Sequence, residues 1–156
     1  MRVHICAVGR LRAGPERELV DDYLGRFERT GRALGLGPAT VSEVEDRKGG
    51  GKTAEVALLK KSIPRHAVIC VLDERGQNQS SPEFAANLAR WRDDGRQDVA
   101  FVIGGADGVD ETLRAEAEAV LSFGQMVWPH MLARVMLAEQ LYRAATILAG
   151  GPYHRI

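Results

Sequence analysis

The chain ends Gly150-Gly151-Pro152-Tyr153-His154-Arg155-Ile156. An aromatic ring, a titratable imidazole and a guanidinium in a row can stack on a base, move a proton and hold a phosphate. Most chain ends are frayed and carry no such set. Upstream, Glu139 and Arg143 have the i, i+4 spacing of a helical ion pair, and pairing with each other is the plain reading of both. Gly104-Gly105-Ala106-Asp107-Gly108 lies between an apolar run and a helix start. Glycines there let backbone approach a ligand closely, although a tight turn needs them too. The spacing is not the G-x-G-x-x-G of a dinucleotide site. Trp128-Pro129-His130 opens the last helix, and Arg134 falls one turn later, so His130 and Arg134 can converge on an anion. Gly51-Lys52-Thr53 looks like the end of a P-loop. That motif needs a glycine where Asp46 stands, and a carboxylate there repels phosphate. The segment reads as a surface loop.

The elements that position these groups alternate strictly. Val3 to Val8 reads as a strand, and Pro15 to about Leu34 as a helix with Leu19, Val20, Tyr23, Leu24 and Phe27 on one face. Gly35 to Pro38 stops it. Thr40 to Val44 is a short strand. Asp46 to Lys52 is a charged, glycine-rich loop, and Thr53 caps a helix ending near Ile63-Pro64. Ala67 to Leu72 is a continuous apolar strand, followed by a turn at Asp73 to Gly76. Ser80 with Glu83 makes a capping box, with Pro82 in the first turn and Phe84, Leu88 and Trp91 as the buried stripe. Val99 to Ile103 is another buried strand. Asp110 caps a helix running to about Val120. Leu121 to Trp128 mixes strand and loop, Pro129 breaks the chain, and His130 to Ala149 is the last helix. That helix is apolar on two sides. Met131, Val135, Ala138, Tyr142, Ala145 and Ala149 form one stripe, and Ala133, Leu137, Leu141, Ala144 and Leu148 the other, so it must be covered twice. In so small a chain the second cover is expected from another subunit.

Strict alternation implies an α/β fold: a mostly parallel sheet with helices on both faces. Ligands in such sheets bind beyond the carboxyl ends of the strands. If their strands are neighbours, the turns at Asp73 to Gly76, Gly104 to Gly108 and Phe123 to His130 build one pocket. A length of 156 residues and 17.0 kDa suits a single domain over 1–156. Lys+Arg and Asp+Glu number 21 each, which excludes gripping nucleic acid by net charge and leaves only a local basic patch. No apolar run approaches the roughly 18 residues of a transmembrane helix, and the start is too short for a signal peptide, so a cytoplasmic protein away from membranes is expected. Cys6 and Cys70 read as buried reduced thiols. The four histidines lack metal-ligand spacing, and no metal is expected.

Taken together, several pieces resemble one family. They are Leu72-Asp73-x-x-Gly76, Ile103-Gly104-Gly105-x-x-Gly108, Met126-x-x-Pro129-His130, Arg134, Leu137-x-Glu139-Gln140-Leu141-Tyr142-Arg143-Ala144 and Tyr153-His154-Arg155. They are similar to the ribosomal RNA large subunit methyltransferase H family of the SPOUT superfamily. With the Ala7-Val8-Gly9-Arg10 opening, the resemblance covers the whole chain. It implies a homodimer that takes methyl from S-adenosylmethionine and places it on N3 of a pseudouridine in 23S rRNA of the assembled 70S ribosome. It implies a C-terminal trefoil knot, which periodicity does not show. By motif position, the cofactor site is Leu72, Gly104, Gly105 and the loop Gly124, Gln125, Met126, Val127, Trp128 and Pro129.

The chain departs from the family pattern twice. Val127 stands where a threonine is usual, and Met131 where a glutamine follows the motif histidine. For catalysis, His154 is the first candidate for general base and Glu139 the second. Arg143 and Arg155 are candidates to stabilise the developing imidate or hold phosphate, and Tyr153 to stack on the target base. Two rivals stand beside this reading. One is a SPOUT-type transfer-RNA methyltransferase, and the other a catalytically inert RNA-binding assembly factor.

Overall fold

A computed structural model describes residues 1–155. Five strands form one sheet in the order β2-β1-β4-β3-β5, every pair parallel. They are β1 (Arg2–Val8), β2 (Ala39–Val44), β3 (Val68–Asn78), β4 (Asp98–Ile103) and β5 (Ala119–Ser122). The helices are α1 (Pro15–Gly31, continued by a 3-10 turn at Arg32–Leu34), α2 (Gly51–Ser62), α3 (Ser81–Asp93), α4 (Glu111–Glu116) and α5 (His130–Ala149). The expected α/β architecture is what the chain adopts.

Alternation along the strands sorts side chains between two cores. Val3, Ile5 and Ala7 of β1 join Val20, Leu24 and Phe27 of α1, Phe84 and Leu88 of α3 and Leu137 and Leu141 of α5. Cys6 and Val8 point the other way, to Leu59 of α2 and Leu113 of α4. Helices thus cover both faces. All six residues of β4, the central strand, are buried. Cys6 and Cys70 are buried free thiols, and burial pushes the Cys70 thiol up to about 12. Among the described residues no helix is long and apolar enough to cross a membrane.

Caps follow the sequence where it supplies them. Ser80 and Glu83 form the reciprocal capping box, and Asp110 accepts from the Thr112 N–H. Three boundaries differ from expectation. Thr53 caps nothing: α2 starts at Gly51, because the Asp46 carboxylate accepts from the N–H groups of Lys48 and Gly51 and orders the turn before it. Nor does the helix opened at Asp110 reach Val120. It stops at Glu116, where the chain turns extended and the Glu118 N–H bonds the Ile69 carbonyl, drawing residues 119–122 into the sheet. Asp73 to Gly76 is not a turn that ends a strand. It is an irregularity inside β3, which pairs with β5 through Leu72, breaks register, and pairs again at Gln77 and Asn78.

Candidate active site

The carboxyl ends of β4 and β5 lie beside the irregular stretch of β3 at Asp73 to Gly76, so the three segments do build one pocket, although only two of them are turns that end a strand. It is a hollow of about 660 Å³. Leu72, Gly104, Gly105, Gly124, Met126, Val127, Trp128 and Pro129 line it, as do Ile103, Phe123 and His130. Gln125 is exposed and does not line the hollow. The loop side chains stand open to solvent, Met126 at 73% and Val127 at 78%. With its side chain turned outward, the Val127 that stands for a threonine removes no contact the fold relies on.

The two glycines of the β4 turn do different things. A Cβ on Gly104 would sit 2.5 Å from the Gly108 backbone, so the turn closes only on glycine there. A Cβ on Gly105 would point at Val8 and Glu55, at 3.1 and 3.5 Å, and so into the protein. Gly104→Ala should therefore open the turn, weaken cofactor binding at least tenfold by calorimetry and lower the Tm. An unchanged affinity would place the cofactor elsewhere.

At the mouth, Asp73 is buried and takes a bidentate pair from Arg75, Nε to Oδ1 at 2.9 Å and Nη2 to Oδ2 at 3.0 Å. Despite burial, the bonds from Arg75 hold its carboxyl below the ordinary value. Gly76 is obligatory: a Cβ would meet the Val120 carbonyl at 2.6 Å, where the extension of β3 crosses β5.

His130 and Arg134 do not converge on an anion. Arg134 is 1% exposed. It turns inward and donates to the Val8 and Gly9 carbonyls at 3.1 and 2.8 Å and to the Glu43 carboxylate at 2.8 Å. The arginine is a brace between α5 and the ends of β1 and β2.

The tail folds back onto α5. Glu139 is the hub. Its Oε1 accepts from Arg143 Nη2 (2.6 Å), Arg143 Nε (2.9 Å) and the Tyr153 hydroxyl (3.0 Å), while Oε2 accepts from Gln140 (2.8 Å). The Tyr153 ring lies 4.5 Å from that of Tyr142, with the Arg143 guanidinium 4.7 Å from its centroid. Burial, and then the bond to Glu139, push the Tyr153 hydroxyl up to about 12, so it remains a donor. Arg143 Nη1 lies 3.2 Å from His154 Nδ1. A guanidinium only donates, so Nδ1 accepts and the ring proton of neutral His154 is on Nε2. Arg155 is exposed and pairs with none of the described residues.

None of Glu139, Arg143, Tyr153 or His154 lines this hollow of the same chain. Glu139 instead edges a second hollow of about 580 Å³ with Tyr23, Gln140 and the loop residues Asn78 and Gln79. The two hollows share Leu121, Phe123 and Gly124. Sequence reasoning missed Asn78, Gln79 and Gln140 as site residues. The only signal was the bond that Gln140 accepts from Ser81, and that needs α3 docked on α5.

The family described as "Predicted SPOUT methyltransferase" matches residues 1–154. The chain belongs to this family. SPOUT membership makes S-adenosylmethionine the cofactor, and the glycine turn and apolar floor of the first hollow suit a nucleoside with a sulfonium-bearing tail. The narrower resemblance also holds. A relative from Dinoroseobacter shibae is 74% identical over 156 residues, covering both chains in full. One from Ruegeria pomeroyi is 71% identical, again over the full length of both. Both carry the name Ribosomal RNA large subunit methyltransferase H. Among solved structures, a probable methylase family protein from Haemophilus influenzae is similar in fold. Its TM-score is 0.56 at 12% identity, covering 99% of this chain and 70% of that one.

Proposed function

We propose that this SPOUT methyltransferase methylates N3 of a pseudouridine in 23S rRNA of the assembled 70S ribosome, as a homodimer in the cytoplasm. The observation that carries the reading is full-length identity above 70% to proteins named Ribosomal RNA large subunit methyltransferase H. The aromatic–imidazole–guanidinium tail, folded onto Glu139 and Arg143, supports the acceptor chemistry.

S-adenosylmethionine, when bound, supplies a methyl group on a sulfonium for in-line displacement. The protein's residues handle the acceptor. Leu72, Gly104, Gly105 and the 124–129 loop hold the donor. Tyr153, kept neutral, presents a ring for the target base to stack on. An imide nitrogen attacks only once its proton leaves. His154 is the first candidate to take that proton, and the Arg143 guanidinium beside it is placed to stabilise the developing imidate. Glu139 keeps Arg143 and Tyr153 in register and is the second candidate for base. Arg155 meets the imidate or a phosphate.

Two observations support the dimer. The tail cluster and the cofactor hollow of one chain are separate: Glu139 lies nine residues along α5 from His130, about 13 Å at 1.5 Å per residue. The start of α5 and the loop before it also expose Met126, Val127, Trp128, Met131 and Leu132 together. A partner's tail completes the site, and the partner covers that face. The reading also includes the C-terminal trefoil knot that the family resemblance implies.

Mass mapping of 23S rRNA from cells with and without the protein tests the reading, with methylation of purified ribosomes against bulk transfer RNA. One methyl on one pseudouridine, lost with the protein, is expected. Methylation of transfer RNA alone, or no binding of S-adenosylmethionine, overturns it.

A further inference from the structure

Resting on the proposed RNA substrate, we infer that the loops leaving β1 and β2 form the track for the sugar–phosphate backbone of that RNA. β1 and β2 run parallel, with Val8 opposite Val44, so residues 9–14 and 45–50 emerge side by side. They do so at the carboxyl end of the sheet, where the cofactor hollow lies. Continuity is direct: His130 lines the hollow, and its Nε2 comes within 3.6 Å of a Cβ placed on Gly9. On the other side, Glu55 of α2 approaches Gly105.

The two loops and the first turn of α2 carry Arg10, Arg12, Arg47, Lys48 and Lys52 against only Glu45 and Asp46. All five cations are exposed. Three of the nearby acids are engaged within the fold, and Asp110, close to Lys52, caps α4, which leaves Glu55 as the one acid there without a partner among the described residues. Glu43 accepts from the Leu11 N–H and from buried Arg134, and Asp46 from the N–H groups of Lys48 and Gly51. Glu45 lies 3.7 Å from Arg47. Arg10, Arg12, Lys48 and Lys52 pair with no carboxylate among the described residues. In a chain of zero net charge, this gives a local positive strip beside the methyl-transfer site. Phosphate contacts position a substrate without reading its sequence, and the strip offers no base-reading amides or aromatics.

The test compares wild type with two triple variants on ribosomes that lack the modification. Arg10→Ala/Arg12→Ala/Lys48→Ala removes the strip. Arg32→Ala/Lys61→Ala/Arg65→Ala removes the same charge at the opposite edge of the sheet. The strip variant should raise KM for ribosomes roughly tenfold or more, leave kcat and the cofactor Kd unchanged, and flatten log Kd against log salt by about two to three. The opposite-edge variant should behave as wild type. Arg12→Glu, with its Tm checked, repeats the test at one exposed position. A strip variant with unchanged KM and salt slope overturns the track, as does equal loss in both triples, which would report net charge alone. A wild type that neither binds nor methylates ribosomes overturns the proposed function, and the track with it.

Discussion

Truncation after Gly151 is expected to lower methyl transfer to ribosomes by several orders of magnitude while leaving cofactor affinity intact. It removes the stacking ring, the proton acceptor and one phosphate-holding cation together. The fold should also weaken. Tyr153 packs on Tyr142 and bonds Glu139, contacts worth about 1–3 kcal/mol in all. The Tm should fall by a few degrees without loss of the folded state. His154→Ala alone should cost roughly 10²–10⁴-fold in kcat. With chemistry rate-limiting, that loss should shrink as pH rises, because the imide then ionises unaided. Steady-state rates from pH 7 to 9.5 decide the matter. A truncated protein that turns over at the wild-type rate would make the tail structural only.

The second large effect is expected at Leu132, 39% exposed on the first turn of α5. Leu132→Glu should convert a dimer into a monomer that still binds cofactor but loses at least 10²-fold in activity, since the tail of one chain then no longer reaches the hollow of another. A buried unpaired carboxylate costs several kcal/mol, enough to split a small interface. Leu141 would be the wrong choice. It is wholly buried in the core of its own chain, and a charge there would unfold the protomer without reporting on assembly. Sedimentation at micromolar concentration is the measurement. A wild type found as a monomer sinks the composite site.

The architecture was legible because apolar runs and caps are local signals. The Val99 to Ile103 run and the Ser80–Glu83 capping box lie where the sequence puts them. So does the pocket, since three neighbouring strands follow from alternation once the strand order is right. What local signals missed depends on distant partners. Asp73 to Gly76 has the composition of a turn, and only the return of β5 makes it part of a strand. The helix pattern toward Val120 is overridden by one bond to Ile69. Arg134 looked like a ligand for an anion because a charged residue after a histidine is conspicuous. Its actual acceptors are carbonyls at the other end of the chain. In the tail, the i, i+4 spacing foretold the Glu139–Arg143 pair, but nothing local foretold that Tyr153 and His154 fold back onto it.

The brace at Arg134 bears on the order in which the molecule assembles. Its bonds close spans of 91, 125 and 126 residues, joining the last helix to the first two strands. Such loops carry the largest closure entropy the chain offers, so these contacts form after the sheet has collapsed and α5 has docked. Interactions made after the folding barrier slow escape from the native state rather than speed arrival. Arg134→Met should thus leave the refolding limb of a chevron nearly unchanged and raise the unfolding limb. The brace acts as a latch, setting how long the folded enzyme lasts rather than how fast it forms.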